Sequence, residues 1–210
     1  MQRHVVCISD THNSHRDIKV PDGDILIHAG DVSWQGEREI YKDIDAWFAT
    51  LPHRYKIIVA GNHDFDFYAY PWKHATPLFD GDVSVLGLHI WGSPITPHFG
   101  SWAYMADRGA SIKRHWDRIP MMPDIVVTHG PAYGILDKNR MGESCGCEEL
   151  EQRLRVVRPM AHVCGHIHGG YGVTSVDGIT RVNASTCNED YMAVNVPIIL
   201  PMPIQLTTGR

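Results

Sequence analysis

The chain has 210 residues, 43% of them apolar and 20% charged, with a formal net charge of −5. These values suit one folded domain with a sizeable core and exclude a disordered chain. The negative balance disfavours a long nucleic acid as a stable partner, because such binding draws on an excess of Lys and Arg.

The apolar run Val5-Val6-Cys7-Ile8 reads as a buried strand and leads into Asp10-Thr11-His12. A second run, Ile25-Leu26-Ile27, leads into Gly30-Asp31. Over Glu37 to Leu51, the residues Ile40, Ile44, Trp47, Phe48 and Leu51 form the apolar stripe of a helix. This helix joins the second strand to a third, a right-handed crossover by default. The third run, Ile57-Ile58-Val59, precedes Gly61-Asn62-His63-Asp64. The aromatic stretch Phe65 to Trp72 follows and is expected to pack in the core or in an interface. Ile125-Val126-Val127 runs into Thr128-His129-Gly130. A second helix is predicted from Cys147 to Arg158, with Leu150, Leu154 and Val157 on one face, acids first, arginines last and Pro159 as its stop. His162-Val163-Cys164 then leads into Gly165-His166-Ile167-His168. Segments Gly172–Val176 and Ile179–Asn183 flank Asp177-Gly178, a hairpin signal, and Met192 to Leu200 is expected to be a further strand.

No repeat or low-complexity linker interrupts this order, so a single domain over 1–210 is expected, and the residues themselves support the class α/β. Five cysteines match no disulfide framework; Cys7 and Cys164 read as buried small hydrophobes, and Cys145-Gly146-Cys147 has the wrong spacing for a redox or zinc pair. No apolar run reaches the roughly 18 residues of a membrane span. The start Met1-Gln2-Arg3-His4 runs directly into the first strand with no leader pattern. A cytoplasmic protein is the expectation.

In α/β sheets ligands collect beyond the carboxyl ends of strands. A lone His is ordinarily a surface or core residue, and His4, His15, His53 and His74 are read so; a lone Gly-Asp is ordinarily a turn. Five polar blocks in order, each on a strand end, are a different matter. Asp10, His12, Asp31, Asn62, His129, His166 and His168 offer imidazole, carboxylate and amide donors with no thiolate, a set suited to divalent Mn, Fe, Zn or Mg, with Mn favoured. These seven donors exceed what one ion takes. Two ions about 3.5–4 Å apart would use them, with Asp31 as the bridging carboxylate. Asp10 and His12, at i and i+2, can point the same way; His166 and His168 can do likewise or serve one ion each.

The five blocks resemble, in order, those of the calcineurin-like metallophosphoesterases. Val20-Pro21-Asp22-Gly23-Asp24, Leu51-Pro52-His53, Gly92-Ser93-Pro94, Thr128-His129-Gly130-Pro131 and Gly169-Gly170-Tyr171-Gly172 resemble the small metallophosphoesterase-domain (MPPED-type) subgroup. The resemblance covers about residues 4–190. It implies a four-layer α/β/β/α sandwich. It implies one ion on Asp10, His12, Asp31 and His168, and the other on Asp31, Asn62, His129 and His166. His63 would be the non-ligand catalytic histidine, with Asp64 the candidate to orient it. The second block reads Gly30-Asp31-Val32-Ser33-Trp34-Gln35 and lacks the further Asp and the Arg of many protein phosphatases, which counts against that activity.

Two divalent ions, two carboxylates and a bridging hydroxide would leave about +1, a match for a singly charged diester. The expected function is hydrolysis of small phosphodiesters, nucleotides and, as the resemblance implies, 2′,3′-cyclic nucleotides among them. A phosphomonoesterase or protein phosphatase, and a non-catalytic scaffold on the same fold, are the alternatives. Tyr133 and Tyr171, just after the fourth and fifth blocks, are the candidate base contacts, and His98, Arg108 and Lys138 lie where a phosphate or sugar contact would fall. Monomer and homo-oligomer both stay open.

Overall fold

The computed structural model describes residues 2–203. Strands β1 (Gln2–Ile8), β2 (Ile25–His28) and β3 (Tyr55–Ile58) are parallel neighbours, and helix α1 (Arg38–Thr50) connects the last two. The short β4 (Thr76–Pro77) pairs with β3 at the sheet edge. A hairpin of β5 (Gly81–Val85) and β6 (Leu88–Ser93) opens a second sheet, followed by the small β7 (Thr96–Pro97) and β8 (Met105–Ala106) pair and helix α2 (Ala110–Trp116). Strand β9 (Ile125–Thr128), helix α3 (Glu148–Val157) and strand β10 (Ala161–Cys164) form a parallel unit. Strands β11 (Gly172–Val176) and β12 (Ile179–Asn183) complete that sheet, and β13 (Ile198–Pro203) returns antiparallel to β1. The sheet orders are β13-β1-β2-β3-β4 and β11-β12-β10-β9-β6-β5.

Side-chain alternation turns this topology into layers. Val5, Cys7, Ile25, Ile27, Ile57 and Val59 point from the first sheet into one cluster with Ile90, Ile125, Val127, Val163 and Val182 of the second. Val6, Ile8, Leu26 and Ile58, facing the other way, pack under Tyr41, Ile44, Trp47 and Phe48 of α1. On the far face of the second sheet, Trp91, Val126 and Ile179 meet Ile112 and Trp116 of α2 and Leu150, Leu154 and Val157 of α3. The result is the α/β/β/α sandwich. Each fully buried aliphatic of these three clusters contributes about 1.5–3 kcal/mol.

The aromatic stretch behaves as expected in its core part: Phe67 is buried and packs 4.8 Å from Trp72. The expected strand from Met192 to Leu200 is a correction, since only Ile198 onward pairs with β1. Met192, Val194 and Val196 are exposed, and Asn195 ties this stretch to the 185–187 loop through Thr186 and Ser185. Pro197, which has no N–H, separates the two parts. The β5–β6 hairpin turns on Leu86-Gly87, both left-handed (φ 51° and 73°); only Gly87 marks the turn in the sequence, because Leu86 stands where Asn, Asp or Gly is usual. Among the described residues no helix is long and apolar enough to cross a membrane.

Candidate metal centre

The five motif loops come from both sheets, three from the first and two from the second, rather than from one rim. Backbone hydrogen bonds tie these loops together. Thr186 N–H donates to the Ser9 carbonyl across the two sheets, while Gly165 N–H to the His129 carbonyl and Asp10 N–H to the Gly30 carbonyl link neighbouring loops of one sheet. The glycines of the blocks make room for this approach. A Cβ on Gly30, which sits at φ 104°, would lie 2.5 Å from His129 Nδ1. One on Gly165 would lie 2.2 Å from an oxygen of Asp10. Asp10, His12, Asp31 and His166 themselves hold φ values of 53°, 39°, 54° and 68°. Left-handed backbone costs a non-glycine residue about 1–2 kcal/mol, so the surrounding contacts must impose it.

The donors converge on two carboxylates. Asp10 is fully buried, accepts the His166 N–H at 3.0 and 2.9 Å and the Ser185 hydroxyl at 2.8 Å, and lies 3.4 Å from His168 Nε2. Asp31 accepts the His63 N–H at 2.9 Å through one oxygen. Its other oxygen faces Nε2 of His129 at 3.3 Å, of His12 at 3.7 Å and of His63 at 4.0 Å. Asn62 Oδ1 is 3.0 Å from the same His129 nitrogen. Three rings are oriented alike. The Nδ1–H groups of His129, His63 and His168 each donate at 2.8 Å to a backbone carbonyl, those of Ala29, Trp34 and Asn188. A carbonyl can only accept, so each Nε2 is turned toward the carboxylates, as in the outer shell of metal-binding histidines.

The electrostatics follow from burial and pairing. Burial pushes His12 down to about 4 and His166 down to about 3, so both rings are neutral and present lone pairs. Burial would lower His129 as well, but Asp31 beside it outweighs that and raises it to about 9. Burial would raise Asp31 and Asp10, yet His129 and His168 respectively hold both below the usual carboxylate range. Two ionised, buried carboxylates and a buried His12 with neither ring nitrogen hydrogen-bonded form an environment that calls for cations. Asp10, His12 and His168 form one group with donor atoms within 4.8 Å of one another, and Asp31, His129 and His166 form another. His12, Asp31 and His63 form a third. The residue types fit hard and borderline divalent ions.

Three expected contacts differ in the structure. Asp64 does not touch His63. Its carboxylate accepts N–H groups of Val32 (3.2 Å), Ser33 (2.9 Å) and Gly61 (2.8 Å) and the Ser33 hydroxyl (2.7 Å), knitting the second block to the third. Burial and then nearby Asp31 push it up to about 7 against these donors. The Trp34 carbonyl orients His63 instead. Tyr171 spends its hydroxyl on the Val196 carbonyl at 2.8 Å, and neither it nor Tyr133 lines the cavities beside His166 and His168. The aromatics at the cluster are Trp34 (4.7 Å from the His12 ring), Tyr191 (5.0 Å from His12 and from His168), Trp102 (4.2 Å from His63) and Phe99 (5.2 Å from His166). None adjoins its histidine in sequence, which is why pattern reading passed over them. His98 and Arg108 do line a cavity with His166, whereas Lys138 lines neither cavity.

A two-sheet sandwich with carboxylates, histidines and an amide gathered where the sheet ends meet is the architecture of a metallophosphoesterase. The chain belongs to the calcineurin-like phosphoesterase family, whose model matches residues 3–170. The human protein called metallophosphoesterase domain-containing protein 1 is 38% identical over 94% of this chain and 70% of its own length. UPF0046 protein K07C11.7 of Caenorhabditis elegans is 32% identical over 95% of this chain and 75% of its own. The solved structure of TT1561 of Thermus thermophilus shares the fold with a TM-score of 0.58 and 13% identity, over 87% of this chain and 89% of that one. The family is one of phosphoric ester hydrolases that bind divalent metals, and the donor groups suit such ions.

Proposed function

We propose that this protein is a divalent-metal-dependent phosphodiesterase for small diesters, with nucleotides, 2′,3′-cyclic nucleotides included, as its substrate class. The observation that carries the reading is the convergence of two donor groups on the Asp10 and Asp31 carboxylates. Asp10, His12, Asp31 and His168 would hold one ion, and Asp31, Asn62, His129 and His166 the other, with manganese preferred. When bound, such ions supply Lewis acidity toward the phosphoryl oxygens and lower the pKa of water. His63 is assigned the proton-donating role at the leaving oxygen. Its Nδ1 is anchored on the Trp34 carbonyl, its ring is clamped by Trp102, and its free Nε2 faces the centre. Asp64 serves this arrangement indirectly, by holding the His63 loop against the Gly30-Asp31 loop.

The preference for a diester has support in how the nearby arginines are used. Arg108 is committed to the Gly146 and Cys145 carbonyls and to Glu148. Arg140 is paired with Asp190 and Glu189. Neither is a free grip for a phosphate dianion. We assign the whole chain, 1–210, to one catalytic domain acting on small substrates in the cytoplasm. The test is a rate comparison of nitrophenyl diesters and monoesters with Mn²⁺ and after chelation. Metal-dependent cleavage with the diester ahead in kcat/KM is expected. A monoester ahead of every diester would replace this reading with a phosphomonoesterase, and rates insensitive to chelation would remove the metal assignment.

A further inference from the structure

Two cavities open beside the candidate centre and meet over His166 and Ile167. The larger, about 620 Å³, extends past Phe99 and His98 toward Cys145. The smaller, about 250 Å³, extends over His168 to Tyr191, Arg140 and Glu189. Their chemistry differs. The larger is lined by Pro97, Phe99 and Ile167 beside the polar His98, Glu143 and Ser144, and its one arginine, Arg108, is spent on backbone carbonyls and Glu148, so its surface is mostly apolar without a free cation. Phe99 is 42% exposed while packing against the His166 ring, a surface free to stack. At the smaller cavity Arg140 lies 2.5 Å from Asp190 and 3.6 Å from Glu189, so two carboxylates face one guanidinium. That balance repels a second anion. It offers both donors and acceptors, which is what hydroxyl groups require.

We propose, building on the phosphodiesterase reading, that the substrate is an acyclic diester with two unlike arms: an aromatic base in the larger cavity against Phe99, and an uncharged, hydroxyl-bearing group in the smaller one against the paired Arg140 and Glu189. A diester phosphate between the arms would sit over His166, where the cavities join. A 2′,3′-cyclic nucleotide carries both ester bonds on one sugar and fills one cavity only. It is the poorer fit. A dinucleoside monophosphate fills both without bringing a second phosphate.

The experiment compares adenylyl-(3′→5′)-adenosine, 2′,3′-cyclic AMP and methyl nitrophenyl phosphate on the Mn²⁺-loaded protein and on Phe99→Ala and Arg140→Ala. Both side chains are well exposed, so folding is preserved and is checked by circular dichroism. Wild-type kcat/KM should be higher for the dinucleoside than for the cyclic nucleotide. Phe99→Ala should raise KM for both nucleotides about tenfold, the size of a lost base–aromatic stack. Arg140→Ala should raise KM for the dinucleoside several-fold more than for the cyclic nucleotide. Equal shifts on all substrates, or a cyclic nucleotide preferred by wild type, would overturn the two-arm assignment while leaving the phosphodiesterase reading standing. A wild-type protein that cleaves none of the three would overturn both.

Discussion

His12 yields the sharpest prediction because the metal-free and metal-loaded proteins should respond to its replacement in opposite directions. The ring is 2% exposed and neither nitrogen has a hydrogen-bond partner, with Asp31 Oδ2 standing 3.7 Å from Nε2. Burial lowers its pKa to about 4, so at neutral pH it is an uncharged imidazole with an unpaired donor and an unpaired acceptor. Leaving such groups buried costs about 1–3 kcal/mol. In His12→Phe the new ring keeps the contacts with Trp34, His63, Tyr191 and His168, whose centroids lie 4.7, 4.9, 5.0 and 5.3 Å away. The added ring volume offsets part of the gain. A net gain of about 1 kcal/mol in EDTA is expected, a rise in Tm of about 2–4 °C for a chain of this size. With Mn²⁺ the order should reverse. Wild type should gain about 2.7 kcal/mol at a hundredfold excess over Kd, and the variant should gain much less for want of a ligand. Thermal unfolding followed by circular dichroism, with and without Mn²⁺, measures both. A variant less stable than wild type in EDTA and equally responsive to Mn²⁺ would refute the reasoning.

His63→Ala should keep its metal content yet lose about 10²–10⁴ in turnover on a diester with a poor leaving group. The loss should be smaller with nitrophenol, which departs without a proton; metal loss in this variant would make His63 a ligand. Asp64→Asn should destabilise the protein by about 1–3 kcal/mol in urea unfolding, because an amide N–H₂ then faces backbone donors; an unchanged midpoint would show that the Val32, Ser33 and Gly61 bonds carry little. His28 supplies a pH test. Its Nδ1 accepts the Gly30 N–H at 3.2 Å and its Nε2 lies 3.2 Å from Thr11 Oγ1, so the folded state holds it neutral, and burial pushes its pKa down to about 3. The unfolded chain, with a pKa near 6.5, binds the proton first. This contribution is therefore complete above about pH 6.5 and is lost as pH falls toward 3, by up to about 1.4 kcal/mol per pH unit. Stability in EDTA should fall less steeply between pH 6 and 4 for His28→Asn, and identical slopes would contradict the assignment.

Strands β1, β2, β3, β9, β10, β11 and β12, the two longer helices and the residue types able to bind a cation were legible in the chain because they are local matters. Val5 to Ile8 and Ile125 to Val127 can bury both faces only as inner strands, and Ile40, Ile44, Trp47 and Phe48 can share a face only as a helix. Gly30 and Gly165 sit where a Cβ would collide with His129 or Asp10, so the glycines beside the donors reported that the loops approach one another. How the loops are partnered was decided by the tertiary structure. Asp64 and His63 are neighbours in sequence, yet the carboxylate turns to the Ser33 loop and the ring to the Trp34 carbonyl, because backbone donors from another strand end were the partners within reach. Tyr171 stands three residues from His168 and is drawn off to Val196, while Tyr191 reaches the His168 ring by the return of the chain. Residue type and spacing determine which groups can bind a cation. Which aromatic, arginine or carbonyl surrounds them depends on contacts between segments far apart in the chain, and no local pattern encodes those.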